Sequence, residues 1–334
     1  VATARTPVRR RTPDRILGLG TATAAVVTAA AVFAIGAFIA ASAWPSLRYN
    51  GWTFLTSHVW DAGNSYGSGT TVRNGVAASP GASFGILVYI FGTVASSALA
   101  MLVATPLAIL VAVAIAYRLP KRLELVVNTL VELMAGVPSV VYGLWGIVVL
   151  VPFIGSTLGP VVTGAFGTIP FFSGSSGSGY GLVAAALVLA IMVLPIMAAT
   201  MRDLVKSVPE ETLEASMALG ANFWQTVTRV ALPSVRAGML GAGLLALGRA
   251  LGETMAVLIV SGGAQNQFPS NVFSPINTMA AVIVSQLDSA LTDASGLSVS
   301  ALAETALVLF AMTLLVNMIA RYIVSVTARA RISL

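Results

Sequence analysis

Six apolar stretches, each long enough to cross a lipid bilayer, leave this chain little choice of architecture. A crossing takes roughly 20 apolar residues, and the stretches fall near 16–43, 92–117, 125–151, 181–201, 236–260 and 301–324. Backbone N–H and C=O groups find no water in hydrocarbon, so each stretch must close its own hydrogen bonds as a helix. The expectation is an all-α membrane protein with six transmembrane helices. Its parts are a tail at 1–15, a first helix at 16–43, an outer loop and lead-in at 44–91, a core at 92–324 with the other five helices, and a tail at 325–334. Within the core, 202–235 is a polar cytoplasmic segment.

Composition narrows the chemistry. Of 334 residues, 57% are hydrophobic and 9% charged, whereas soluble domains carry about a quarter charged residues. Without cysteine there is no disulfide or thiolate site, and a single histidine, His58, gives little scope for an imidazole metal site. No catalytic or metal-binding residue is expected. The net charge of +6 does not call for nucleic acid, because the basic residues are placed as topology signals beside a lipid bilayer.

That placement alternates. Successive connections carry 5, 2, 3, 0, 4, 0 and 3 Lys or Arg, beginning with Arg5, Arg9, Arg10, Arg11 and Arg15 in the first tail. Basic residues collect on the cytoplasmic side, so both termini and the 202–235 segment are read as cytoplasmic, in a multi-pass protein of the bacterial inner membrane. The first apolar run is followed by Ala41-Ser42-Ala43, which looks like a signal-peptide cleavage site. A signal core is only 7–15 residues long, so a retained first helix is expected.

The third stretch is not uniform. Glu124, Asn128 and Glu132 recur every four residues and form one polar stripe on a helix. Gly136-Val137-Pro138 then interrupts, since proline disfavours helix at the residue before it. A lead-in at 123–135 lying on the cytoplasmic face is expected, with the crossing proper starting near Pro138. On the outer side, 173–179 is a Gly/Ser loop. The apolar stretch at 279–284 is too short to span and is read as a short amphipathic helix.

The cytoplasmic segment carries helix signals. Ser207-Val208-Pro209-Glu210 has Ser-x-x-Glu spacing with an early proline, Gly220 suits a helix stop, Asn222 to Gln225 offers a second cap, and Pro233 is expected to end the second helix. Two short helices joined at a glycine result, with Phe223 and Trp224 as apolar anchors. In the fifth stretch Arg249 and Glu253 stand four apart, where they share a helix face and can pair. An unpaired arginine at mid-bilayer costs on the order of 3 kcal/mol on insertion scales, so Arg249 is expected to face the bundle interior. A second face carries Ala237, Gly241, Gly248 and Gly252 for close helix packing. Ala242, Ala246 and Ala256 are read as leaving room beside the charges for a solute. A planar guanidinium suits a tetrahedral oxyanion. Glu304 is expected at the solvated outer end, with Asn317 and Arg321 at the inner interface.

These residues bring a family into view. Glu214-Ala215-Ser216, three residues, Gly220, nine residues, then Val230-x-Leu232-Pro233 resembles the EAA motif of ABC importer permeases, with Ser216 and Val230 as mild departures. The resemblance implies a type I importer permease whose 202–235 segment is a coupling helix. Glu214, Ala215, Ser216, Gly220, Leu232 and Pro233 would then belong to the contact with an ATPase. The chain's two lysines, Lys121 and Lys206, lie in no phosphate-binding loop, so ATP and Mg would be bound by that partner and no cofactor by this chain.

Ala246 to Val257, Gly136 to Gly143 and Phe273 to Thr278 are similar to stretches of phosphate-importer permeases. The run Glu253-Thr254-Met255-Ala256-Val257 favours the partner of the PstA-like permease over PstA itself. Heterodimerisation with a PstA-like chain, a PstB-like ATPase dimer and a PstS-like phosphate-binding protein are implied. Arg249 and Glu253 would line the substrate pathway. A permease for sulfate or molybdate, an ATP-independent anion carrier or channel, and a membrane scaffold or sensor are the competing readings.

Overall fold

The computed structural model describes residues 12–64, 69–175 and 177–329. The first tail and the end of the last therefore lie largely outside the described residues. Among the described residues six helical segments are long and apolar enough to cross a membrane: Leu17–Asn50, Leu87–Tyr117, Ser139–Phe166, Leu182–Lys206, Phe223–Leu251 and Leu297–Ser325.

Helix α1 (Thr12–Asn50) runs two turns past the expected end, through Pro45. From 17 to 35 it is exposed, and packing begins at Gly36, where a Cβ would lie 3.2 Å from the Phe310 ring. The described part of the next connection, read from sequence only as an outer loop, carries secondary structure. A short helix α2 (Thr53–Thr56) precedes β1 (Trp60–Asp61), β2 (Thr71–Arg73), β3 (Val76–Ala78) and β4 (Ser83–Phe84). Strands β1 and β4 pair antiparallel, as do β2 and β3. Trp60 meets Phe84 edge to face at 5.0 Å, and these rings join Tyr49, Phe54 and Tyr89 in a small core of their own.

The main core is built around α8 (Leu182–Lys206), the most enclosed crossing. Against it lies α3 (Leu87–Tyr117). Ala100, Ala104, Ala108 and Ala112 on α3 are all fully buried in this core. Their spacing of four puts small side chains on one face, so two helices can approach where lipid offers no hydrophobic drive.

The third crossing divides as expected: α4 (Lys121–Ala135), a break at Gly136–Pro138, then α5 (Ser139–Trp145). It does not stop near 151. It continues through α6 (Val151–Phe153) and α7 (Gly159–Phe166), so the first part of the expected outer loop is helix. Each continuation follows a five-residue π-helical turn, Gly146–Leu150 before Pro152 and Ile154–Leu158 before Pro160.

The fifth crossing repeats this device. After α9 (Glu210–Ala218), α10 (Phe223–Thr226) passes through the π-turn Val227–Ala231 into α11 (Leu232–Leu251), with Pro233 at its second residue. Proline lacks an N–H and its ring crowds the carbonyl four residues back. A wider i→i+5 turn removes that demand. Pro233 therefore does not end the helix, contrary to the sequence expectation. The crossing starts at Phe223, not 236, and stops at Leu251, with α12 (Met255–Val260) following a break.

Two helices complete the fold. The predicted short outer helix is α13 (Met279–Leu291), its first turn capped by the Thr278 hydroxyl, which accepts from Ala281 N. Last comes α14 (Leu297–Arg329), packed on α1 and α11.

Candidate functional site

Two regions carry the predicted site residues. The first is the hairpin formed by α9 and α10. No residue of α9 is buried; Glu214 and Ala215 are exposed and Leu219 is 91% exposed. Gly220 holds φ +90°, a conformation that glycine reaches without steric cost. Beyond it the Asn222 side chain accepts from Gln225 N, and the Gln225 side chain accepts from Asn222 N, both at 2.9 Å. The second cap is thus as the spacing predicted.

The first cap is not. Ser207 Oγ donates to Leu204 O at 2.7 Å, closing α8, and α9 follows its N-cap Pro209 with no side-chain cap. Ser216, the departure from alanine in the motif, lies 3.1 Å from the Thr226 hydroxyl and ties the two hairpin helices together. Leu232 and Pro233 are not at the hairpin tip. They line a largely apolar cavity of about 850 Å³ between α3, α11 and α14, with Arg236 also on its wall.

Beside the hairpin's root, the polar stripe of α4 is latched to the end of α8. Arg202 Nη1 donates to Asn128 Oδ1 at 2.7 Å and stands 3.6 Å from Glu132 Oε1, while Nε and Nη2 hold Asp203 Oδ1 at 2.9 and 2.8 Å. Lys206 pairs with Glu124. The hydrogen bond from Lys206 holds the Glu124 carboxyl below its ordinary value, against desolvation and with help from nearby cations. The lead-in helix is thereby fixed against the end of α8.

The second region is Arg249. It sits in the last turn of α11, and its side chain is exposed in this chain. Glu253 does not share its helix: α11 ends at Leu251, and Glu253 lies in the break, where its Oε1 accepts from Ala256 N at 3.2 Å and supports the start of α12. Among the described residues the ion pairs are those of Arg202 and Lys206, and the expected Arg249–Glu253 pair is absent. Gly252 closes α11, so it does not form a packing groove with Gly248. A Cβ on Gly248 would lie 3.9 Å from Asn317 Oδ1, which places Asn317 beside Arg249's own turn. Ala242, Ala246 and Ala256 are buried in the core and leave no space for a solute.

Around Arg249 the two broken crossings meet. On α5, a Cβ at Gly143 would lie 2.8 Å from Ile259 and 3.1 Å from Ala256 Cα, so α5 and α12 are nearly in backbone contact. Tyr142, one residue earlier, is near enough to feel the Arg249 charge, and its hydroxyl donates to Met134 O at 2.7 Å across the α4–α5 break. Tyr142 was not singled out from sequence; a tyrosine one turn after Gly-Val-Pro was the available signal. Interrupted helices that pack together, with one exposed cation beside the breaks, are a form that solute transporters use.

Residues 104–329 match the family described as binding-protein-dependent transport system inner membrane component. The chain belongs to that family, as a multi-pass protein of the bacterial inner membrane. It is 46% identical over 287 residues to the phosphate transport system permease protein PstC 1 of Mycobacterium tuberculosis, covering 85% of each chain. It is 35% identical over 312 residues to PstC of Mesorhizobium japonicum, covering 92% of this chain and 89% of that one. Among solved structures, a chain of the MetNI methionine ABC transporter in an inward-facing conformation is similar at 17% identity. That match covers 72% of this chain and 94% of the other, with a TM-score of 0.49.

Proposed function

We infer that this chain is a transmembrane permease subunit of an ATP-driven inorganic phosphate importer. It forms half of the translocation pathway and takes its drive from a separate ATPase through the α9–α10 hairpin. The observation that carries the coupling is the hairpin itself: a rigidly turned and capped element with an exposed tip, rooted in two crossings. Its similarity to phosphate transport system permeases supports the substrate. ATP and Mg would be held by a PstB-like dimer, phosphate would be delivered by a PstS-like protein, and a PstA-like chain would supply the other half. The charge pattern supports cytoplasmic termini and a cytoplasmic hairpin.

Arg249 is the group we assign to the passing anion. With no carboxylate paired to it among the described residues, and Tyr142 nearby, its planar donors are available to an oxyanion. Glu253 is reassigned from counter-ion to support of the helix break. Closure of the ATPase would push the hairpin and shift the broken crossings, exposing Arg249 to each side in turn. Phosphate uptake by vesicles holding the assembled transporter tests this. Arg249→Gln should abolish uptake while assembly and basal ATP hydrolysis persist; undiminished uptake would remove Arg249 from the pathway. Phosphate flux through this chain alone, without ATP, would overturn the importer reading in favour of an independent carrier.

A further inference from the structure

The hairpin has two roots, and both are held by consecutive residues at the end of the second crossing. Its entry follows the last turn of α8. There Pro209 has no N–H to offer Val205 O, the carbonyl four residues back, which accepts instead from Val208 N at 3.3 Å and keeps its second lone pair free for a side chain. Tyr117 Oη donates to it at 2.9 Å. The hairpin's exit is the first turn of α10. There the Arg118 guanidinium carbon lies 4.0 Å from the centre of the Phe223 ring and 5.6 Å from that of Trp224. The Tyr117 and Phe223 rings meet edge to face at 6.3 Å, and the Phe223 and Trp224 rings at 5.4 Å.

Neither contact is needed to form the hairpin, which is closed by Gly220, the Asn222–Gln225 cap and the Ser216–Thr226 hydroxyl contact. They fix where it stands relative to α3. Arg118 is also the C-cap residue of α3 and lies two residues before Pro120, the N-cap of α4. A displacement of α10 therefore reaches the second crossing directly, and reaches α4 through the same short link.

We propose that Tyr117 and Arg118 form the joint through which the hairpin moves the second crossing, Tyr117 gripping its entry at Val205 and Arg118 its exit at Phe223. They are positioning residues. They touch neither substrate nor nucleotide, and they act by making the hairpin and α3 move as one body. The proposal rests on the inferred role of the hairpin in ATP-driven transport. An aromatic face attracts a guanidinium through its quadrupole, a contact with broad angular tolerance that survives rocking better than a bidentate ion pair does.

The test uses the complete transporter with its partner subunits in vesicles, measuring phosphate uptake and ATP hydrolysis in the same preparation. Arg118→Ala should lower phosphate moved per ATP about twofold to fivefold, the factor a cation–π contact at an exposed site corresponds to, with hydrolysis retained. Phe223→Tyr should behave as wild type, Phe223→Leu should match Arg118→Ala, and the double variant should be no worse than either single one. An unchanged ratio in Arg118→Ala, or losses that multiply in the double variant, would overturn the joint. The chain has no cysteine, which permits a second measurement should the alanine variant assemble poorly. A short bifunctional thiol reagent across Arg118→Cys and Phe223→Cys should restore the ratio lost in Arg118→Cys alone; failure to restore it counts against the joint. If wild-type uptake proves independent of ATP, the functional reading fails instead, whatever Arg118 does.

Discussion

Ser46 on α1 donates a hydrogen bond of 2.5 Å to Glu304 on α14, and Glu304 is only 2% exposed. Asn50 Nδ2 donates in turn to Ser46 Oγ at 3.0 Å. The carboxyl read from sequence as a solvated outer-end group is instead the polar bolt between the first and sixth crossings. The reason is the extra length of α1, which brings Ser46 and Asn50 to it.

Removing the donor should therefore be worse than changing the acceptor. Ser46→Ala leaves a buried carboxyl short of a partner and should cost about 1–3 kcal/mol. Glu304→Gln, which still accepts from Ser46, should cost less. Thermal or denaturant unfolding in detergent micelles ranks the two; no loss in Ser46→Ala would show that the contact carries no weight.

Asp293 closes the turn before α14. It accepts from Ser298 N and Oγ at 3.0 and 2.7 Å, and from Ser295 N and Oγ at 3.0 and 2.8 Å. Burial pushes its carboxyl up, but the bonds from Ser298 and Ser295 together outweigh burial and hold it below the ordinary value. A folded value below the unfolded one means that its stabilisation is complete above the unfolded value, near 4, and is lost as pH falls through the folded one. The protection of the 295–298 amides from exchange, taken relative to their intrinsic rates at each pH, should fall on acidification below that range. Asp293→Asn should flatten this pH dependence.

Arg202 should matter far more than Lys206. Arg202 is a buried side chain that gathers Asn128, Glu132 and Asp203 onto one guanidinium, while the Lys206–Glu124 pair is open to solvent. Arg202→Ala should free α4 from α8 and raise its protease sensitivity. Glu124→Gln should produce no measurable change in stability, as is usual for exposed ion pairs. Limited proteolysis of both variants distinguishes the two contacts.

At Gly220 a Cβ would meet nothing within 4 Å, so only the backbone objects to a side chain there. Gly220→Ala should cost about 1–2 kcal/mol locally, the penalty of a left-handed residue. It should weaken ATPase attachment, read by co-purification of the ATPase, more than it lowers overall thermal stability. Gly241→Ala, at a helical glycine that also has open space around it, is the control and should leave both readings unchanged.

Hydropathy made six crossings legible, because an apolar run of that length has one stable backbone form in lipid. The α4 break was equally legible, since Gly136-Val137-Pro138 and the 124–128–132 stripe are local signals. Proline misled at 233, where the chain widens a turn as it also does before two prolines of the third crossing. Pro152, Pro160 and Pro233 each follow a π-turn and continue a crossing that local rules would end. The Arg249–Glu253 spacing misled for the opposite reason: four residues imply a shared face only if the helix persists, and it stops at Leu251.

The sequence by itself determined the number of crossings, the hairpin with its glycine turn and second cap, and an arginine within the fifth apolar helix. Each follows from hydrophobicity or backbone preference over a few consecutive residues. Only the tertiary structure decided that Glu304 is bolted to Ser46, that Arg202 gathers the α4 stripe, and that Tyr117 and Arg118 hold the hairpin's roots. Those partners lie 258, 74 and roughly a hundred positions apart, and which polar groups meet across such spans is set by how helices pack, not by any local pattern.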